Sequence, residues 1–80
     1  LDVVINAQGH YSVNERNLVN NSPETLKAAI REAAGDDRSL PLVITADANT
    51  PHQAVITAMD AAGQLGFARL SLATRESDGK

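Results

Sequence analysis

The sequence predicts an α+β fold: a two-layer α/β sandwich in which a mixed sheet of four or five strands carries two helices on one face. Three observations predict it. Short segments of period-2 alternation stand among two longer segments with apolar residues at i, i+3, i+4 and i+7. The chain ends in a β-α-β unit, whose two strands are expected to run parallel with a right-handed crossover. Two helices are too few to cover both faces of such a sheet, so one face is left open. The element order is β-β-(β)-α-β-α-β.

Val3 and Ile5 alternate with Asp2, Val4 and Asn6 and give the first strand. Ala7, Gln8 and Gly9 turn the chain, with Gly9 free to take positive φ. Tyr11 and Val13 alternate with His10 and Ser12, completing a β-hairpin. Residues 14–17 read as a second turn, and Leu18-Val19 as a short optional third strand. Ser22-Pro23 opens a helix, Ser as the cap and Pro where no N–H is needed. Leu26, Ala29, Ile30 and Ala33 form its apolar stripe, and Gly35 stops it. Residues 42–46, Leu-Val-Ile-Thr-Ala, are a β-rich run read as an interior strand and the most deeply buried one. Thr50 and Gln53 match a capping box at the start of a second helix. Its stripe is Val55, Ala58, Met59 and Ala62, and Gly66 ends it. Residues 67–73 are the last strand, with Leu70 and Leu72 on one side and Arg69 and Ser71 on the other. The folded domain is expected over residues 1–74, with 75–80 a flexible C-terminal tail.

Eighty residues with 42% hydrophobic content make one small globular domain. Ten acidic against seven basic residues give a net charge of −3, which speaks against a nucleic-acid partner held by phosphate neutralisation. Tyr11 and Phe67 are too few for a base-stacking platform. The absence of cysteine excludes disulfides and thiolate chemistry. No charge-free run approaches the about 20 residues of a membrane span. The chain begins at Leu1 rather than Met, so it is expected to be a processed product or a piece of a longer protein, with any targeting or anchoring segment upstream.

Asp47, Asn49 and His52 cluster at the carboxyl end of a predicted parallel strand, where open α/β sheets bind ligands. The plainer reading prevails. Asp and Asn bond their own backbone in turns, His52 belongs to an exposed first helical turn, and a metal site needs three or four convergent ligands. His10 lies on the polar side of its strand. No serine or threonine sits in a nucleophile elbow, and Gly63-Gln64-Leu65-Gly66 ends a helix rather than opening one. The reading is therefore no enzyme, no cofactor and no metal, but a binding module with sheet edges. Arg69, Leu70, Ser71, Leu72 and Ala73 are the candidate dimer or partner-binding residues, because nothing after the last strand can cover its edge. The bland alternative packs both leucines under the second helix. Should the Ser71 N–H point outward, Ser71→Pro would abolish docking and leave the fold intact.

Residues 5–15, INAQGHYSVNE, resemble the first hairpin of the ExbD/TolR proteins, and residues 42–74 are similar to their ending: a strand, Ala-Asp, a Pro-started helix with Met-Asp, then Gly-aromatic and a final strand. The family's commoner Ala-Asp-Lys is here Ala46-Asp47-Ala48, and its frequent Pro-Tyr is Pro51-His52, so no contact of that Lys or Tyr carries over. The resemblance implies the periplasmic domain of a single-pass inner-membrane protein. The proton-carrying Asp of the membrane helix would then lie outside these residues, and Asp47 is not that group. It further implies a homodimer working with an ExbB-like membrane protein and a TonB-like energy transducer, coupling the proton-motive force to outer-membrane transport. The alternatives are a TolR-like domain with a TolA-like transducer, and a stand-alone small domain using the Asp47/His52 end of the sheet.

Overall fold

The computed structural model describes residues 1–37 and 39–75. Five strands and two helices follow in the order β1 (Asp2–Ile5), β2 (Tyr11–Val13), β3 (Arg16–Asn17), α1 (Pro23–Ala34), β4 (Leu42–Asp47), α2 (His52–Gln64) and β5 (Leu70–Arg75). They form one mixed sheet with the spatial order β3-β2-β1-β4-β5. β1 pairs antiparallel with β2 and parallel with β4, and β4 pairs parallel with β5. The α+β architecture predicted from the periodicity is the one observed.

Both helices cover the same face. Val3, Ile5, Tyr11, Val13, Leu42, Ile44 and Ala46 point into a single core with Leu26, Ile30, Ala34, Ala58, Ala61, Ala62 and Phe67. Every one of the strand residues in that set is two positions from the next on its own strand, as a pleated sheet with one buried face requires. β4 is deeply buried but is not the deepest strand as expected: β1 matches it, Val3 and Ile5 being wholly inaccessible.

Several elements depart in detail from the sequence reading. Asn14 and Glu15 both take positive φ, 50° and 71°, so the turn after β2 needs only two residues. The third strand therefore falls at Arg16–Asn17, not at Leu18-Val19. Asn14 also locks the turn to the sheet: its Oδ1 accepts the Asp2 N–H at 3.0 Å, and its own N–H goes to the Asp2 carbonyl at 2.8 Å. α1 is capped as predicted, with Ser22 Oγ accepting the Thr25 N–H at 3.3 Å, and Gly35 leaves it at φ 64°. Its last buried residue is Ala34, not Ala33, because the helix meets the sheet along the straight 26, 30, 34 row.

The capping box at Thr50 does not form. Pro51 is the N-cap of α2 and no side chain caps it. The Thr50 hydroxyl instead reaches the carbonyls of Ile5 and Asn6, at 3.1 and 3.0 Å, tying the end of β1 to the loop after β4. α2 turns Ala58, Ala61 and Ala62 to the core, while Val55 is only half-buried and Met59 is exposed. Gly66, at φ 91°, donates its N–H to Gly63, and the Phe67 N–H goes to Ala62. These two bonds are a Schellman ending, with Phe67 as its buried hydrophobic contact. Phe67 thus belongs to the helix stop, and the last strand begins at Leu70 rather than at residue 67. It includes Arg75. The rest of the expected tail, 76–80, lies outside the described residues.

Candidate partner-binding edge

β5 has β4 on one side and no strand on the other among the described residues. The direction of its backbone groups follows from the ladder. In a parallel pair one residue sends both its N–H and its C=O to the two residues flanking its partner, and the next residue sends them the opposite way. Leu42 lies opposite Leu70 and donates to the Arg69 carbonyl at 2.9 Å. Val43 donates the other way, to the Leu1 carbonyl at 2.9 Å. Leu42, Ile44 and Ala46 therefore face β5, and on β5 the bonds are made by Arg69, Ser71 and Ala73. The N–H and C=O groups of Leu70, Leu72 and Thr74 point outward from the sheet.

This corrects the expectation for Ser71. Its N–H is directed at β4, so proline there would attack the ladder rather than the free edge. Of the five predicted site residues, Leu70 and Leu72 carry the outward row, and Arg69, Ser71 and Ala73 hold the strand in place; Thr74, outside the predicted set, shares the outward row. Backbone phase leaves no trace in the residue types, so only the paired structure reveals it.

The two leucines share the helix-side face with Leu42 and Ile44, their register partners. They are not covered there: Leu70 is 37% and Leu72 53% exposed. α2 does not reach over them. Its Ala58, Ala61 and Ala62 are buried in the core, and the Tyr11 hydroxyl, donating to the Ala54 carbonyl at 2.9 Å, ties it toward the hairpin. Burial raises the Tyr11 pKa, against a smaller opposing contribution from the Thr57 side chain. α2 exposes Ile56, which lines a groove together with Leu72, and Met59. Among the described residues, four of the five exposed large apolar side chains are Ile56, Met59, Leu70 and Leu72, on α2 and β5; the fifth, Val19, follows β3.

Between α2 and β5 runs a groove of about 360 Å³, lined by Ala46, Val55, Ile56, Leu72 and Thr74 and closed at one end by Asp47, Ala48, Thr50 and His52. Asp47 Oδ1 accepts the Asn49 N–H at 2.9 Å, and the Asp47 carbonyl accepts the Thr50 N–H at 2.9 Å. Asp47 and Asn49 thus shape a turn, and His52 is exposed in the first turn of α2. Among the described residues no three His, Cys, Asp or Glu side chains converge. His10 is exposed on the far side of the hairpin, its backbone N–H bound by Asn6 Oδ1. No helix among the described residues is long and apolar enough to cross a membrane.

The sequence model of the family described as "ExbD: Biopolymer transport protein ExbD/TolR" matches residues 1–77. No curated protein matches the chain.

Proposed function

The chain belongs to the ExbD/TolR family of biopolymer transport proteins, and from that premise we propose that it is the partner-binding domain of a dimeric, membrane-anchored coupling protein. Members of this family are accessory proteins of transport rather than enzymes. The domain stands in the periplasm on a single-pass inner-membrane anchor. With an ExbB-like membrane protein it relays the proton-motive force to a TonB-like transducer, and so to transport across the outer membrane. The reading frame upstream of Leu1 is expected to encode an apolar stretch of about 20 residues containing one Asp.

The observation that carries this reading is the β5 edge, a six-residue strand with an outward backbone row and exposed leucines beside it. Such an edge gains main-chain hydrogen bonds by accepting a further strand, from a second copy or from an extended partner segment. Thr74→Pro tests it. The substitution removes an outward N–H and leaves the bonds to β4 intact, so the melting temperature should move by only a few degrees, about 1 kcal/mol for a domain this size. Sedimentation should show loss of the dimer, and a TonB-like periplasmic segment should no longer be retained. A Thr74→Pro protein that dimerises and binds as the parent does would overturn the reading.

A further inference from the structure

Resting on the reading of β5 as a docking edge, we propose that α2 selects the docked strand: Ile56 and Met59 form a wall that admits an extended segment alternating apolar and polar residues, with a cationic side chain at the end near Asp47. His52, Val55, Ile56 and Met59 are spaced i, i+3, i+4 and i+7, so they form one stripe along α2. It is distinct from the Ala58, Ala61 and Ala62 stripe that faces the core. Ile56 is 50% and Met59 43% exposed, although a helix of this kind normally turns its largest apolar side chains inward. Val55 and Ile56 line the same groove as Leu72 and Thr74. α2 joins two parallel strands and so runs back against them, which puts Met59, about one turn beyond Ile56, nearer the Leu70 end.

A strand added outside β5 lies about 4.8 Å further out in the same sheet. Its alternate side chains project on the face of Leu70 and Leu72, against the flank of α2. The intervening ones project on the open face, level with exposed Ser71 and Ala73, in water. Only a segment alternating apolar and polar residues suits both faces. A block of apolar residues puts half of them in water, and a block of polar ones puts half of them against Ile56 and Met59. Among the described residues that line the groove, Asp47 alone is formally charged, and with one carboxylate oxygen accepting the Asn49 N–H it marks one end of the site for a cation.

The test uses capped peptides of about nine residues: valine and serine in strict alternation, or the same residues in two blocks, each with an arginine at either end. Binding to the 80-residue chain is read by calorimetry. The alternating peptide should bind about tenfold or more tighter than the block isomer, the discrimination an apolar contact provides. The double variant Ile56→Ser/Met59→Ser, altered only at exposed positions, should bring the two within about twofold. One placement of arginine should be favoured by about two- to fivefold, as for an exposed ion pair, and Asp47→Asn should erase that preference. Equal binding of the alternating and block peptides, a preference that survives the double variant, or an end preference that survives Asp47→Asn overturns the selection by α2. If Thr74→Pro abolishes all binding in that event, the docking edge stands without the wall. If the parent chain binds no peptide, or Thr74→Pro binds as the parent does, both fail together.

Discussion

At one end of the sheet β3 offers two residues, Arg16 and Asn17, both exposed; at the other β5 offers six. β3 comes straight out of a two-residue turn with positive φ at both positions, and its Asn17 side chain is engaged by Ser12 Oγ at 2.6 Å. The Arg16–Glu32 ion pair, 3.6 Å apart and about three-quarters exposed at both ends, adds little stability. Both edges leave backbone groups unpaired. Only β5 is long enough to template another strand and has apolar side chains standing beside its free row. Edge strands are normally blunted by shortness, charge or a covering element. β3 is blunted by the first two, whereas β5 is protected by none of them on its helix side. The proposed working surface is the edge that lacks these protections.

Ile44, 1% exposed, is the register partner of Leu72, 53% exposed. Ile44→Ala should cost about 2–5 kcal/mol, a large part of the stability of a domain this small. Leu72→Ala should cost well under about 1 kcal/mol, as expected of a side chain half in water. Chemical denaturation of both variants checks the pair. Equal costs would mean that Leu72 is packed and that β5 is no open edge.

Proline scanning along β5 sharpens the phase of its backbone. Ser71→Pro removes an N–H directed at β4 and strands a carbonyl there, so it should destabilise by about 1–3 kcal/mol. Thr74→Pro should be close to neutral in the same thermal melts. The opposite ranking would reverse the outward row and shift it to Ser71 and Ala73.

On the hairpin side, Tyr11→Phe should cost about 0.5–1.5 kcal/mol through loss of the bond to the Ala54 carbonyl. The sign of the pH effect follows from the raised pKa of Tyr11. Folding favours the neutral phenol, so the contribution is fully present below the ordinary value near 10 and is lost as pH rises through the folded-state value. Parent and Tyr11→Phe stabilities should therefore converge in alkali, in titrations followed by circular dichroism.

The smallest effect belongs to the β3 edge. Glu15 occupies the left-handed region at φ 71°, where glycine sits without strain. Glu15→Gly should raise stability by up to about 1 kcal/mol, after the greater freedom of glycine in the unfolded chain is deducted. It should leave self-association unchanged. A change in dimerisation from this variant would bring β3 into the interface and remove the distinction between the two edges.

The short third strand was only optional in the sequence and misplaced at Leu18-Val19, whereas both helices, four of the five strands, the hairpin, the Ser22 cap, the two glycine stops and the placing of both helices on one face were legible along the chain. Each of these is written in local terms: period 2 against period 3.6, a side chain that reaches its own backbone, a residue that tolerates positive φ. The alternation of Leu70 and Leu72 with Arg69 and Ser71 likewise fixed the sides of the last strand. Only the pairing in space makes β5 an edge among the described residues, turns the groups of Leu70, Leu72 and Thr74 outward, and rolls the alanines of α2 inward with Ile56 and Met59 left outside. α2 is apolar over more of its circumference than one contact can bury, so its own pattern allows more than one rotation. The sheet settles the matter, because the small alanine stripe lets the helix lie close over the inner strands. Strand order and ladder phase are carried by backbone groups that every residue shares, and no pattern of side chains along the chain can spell them.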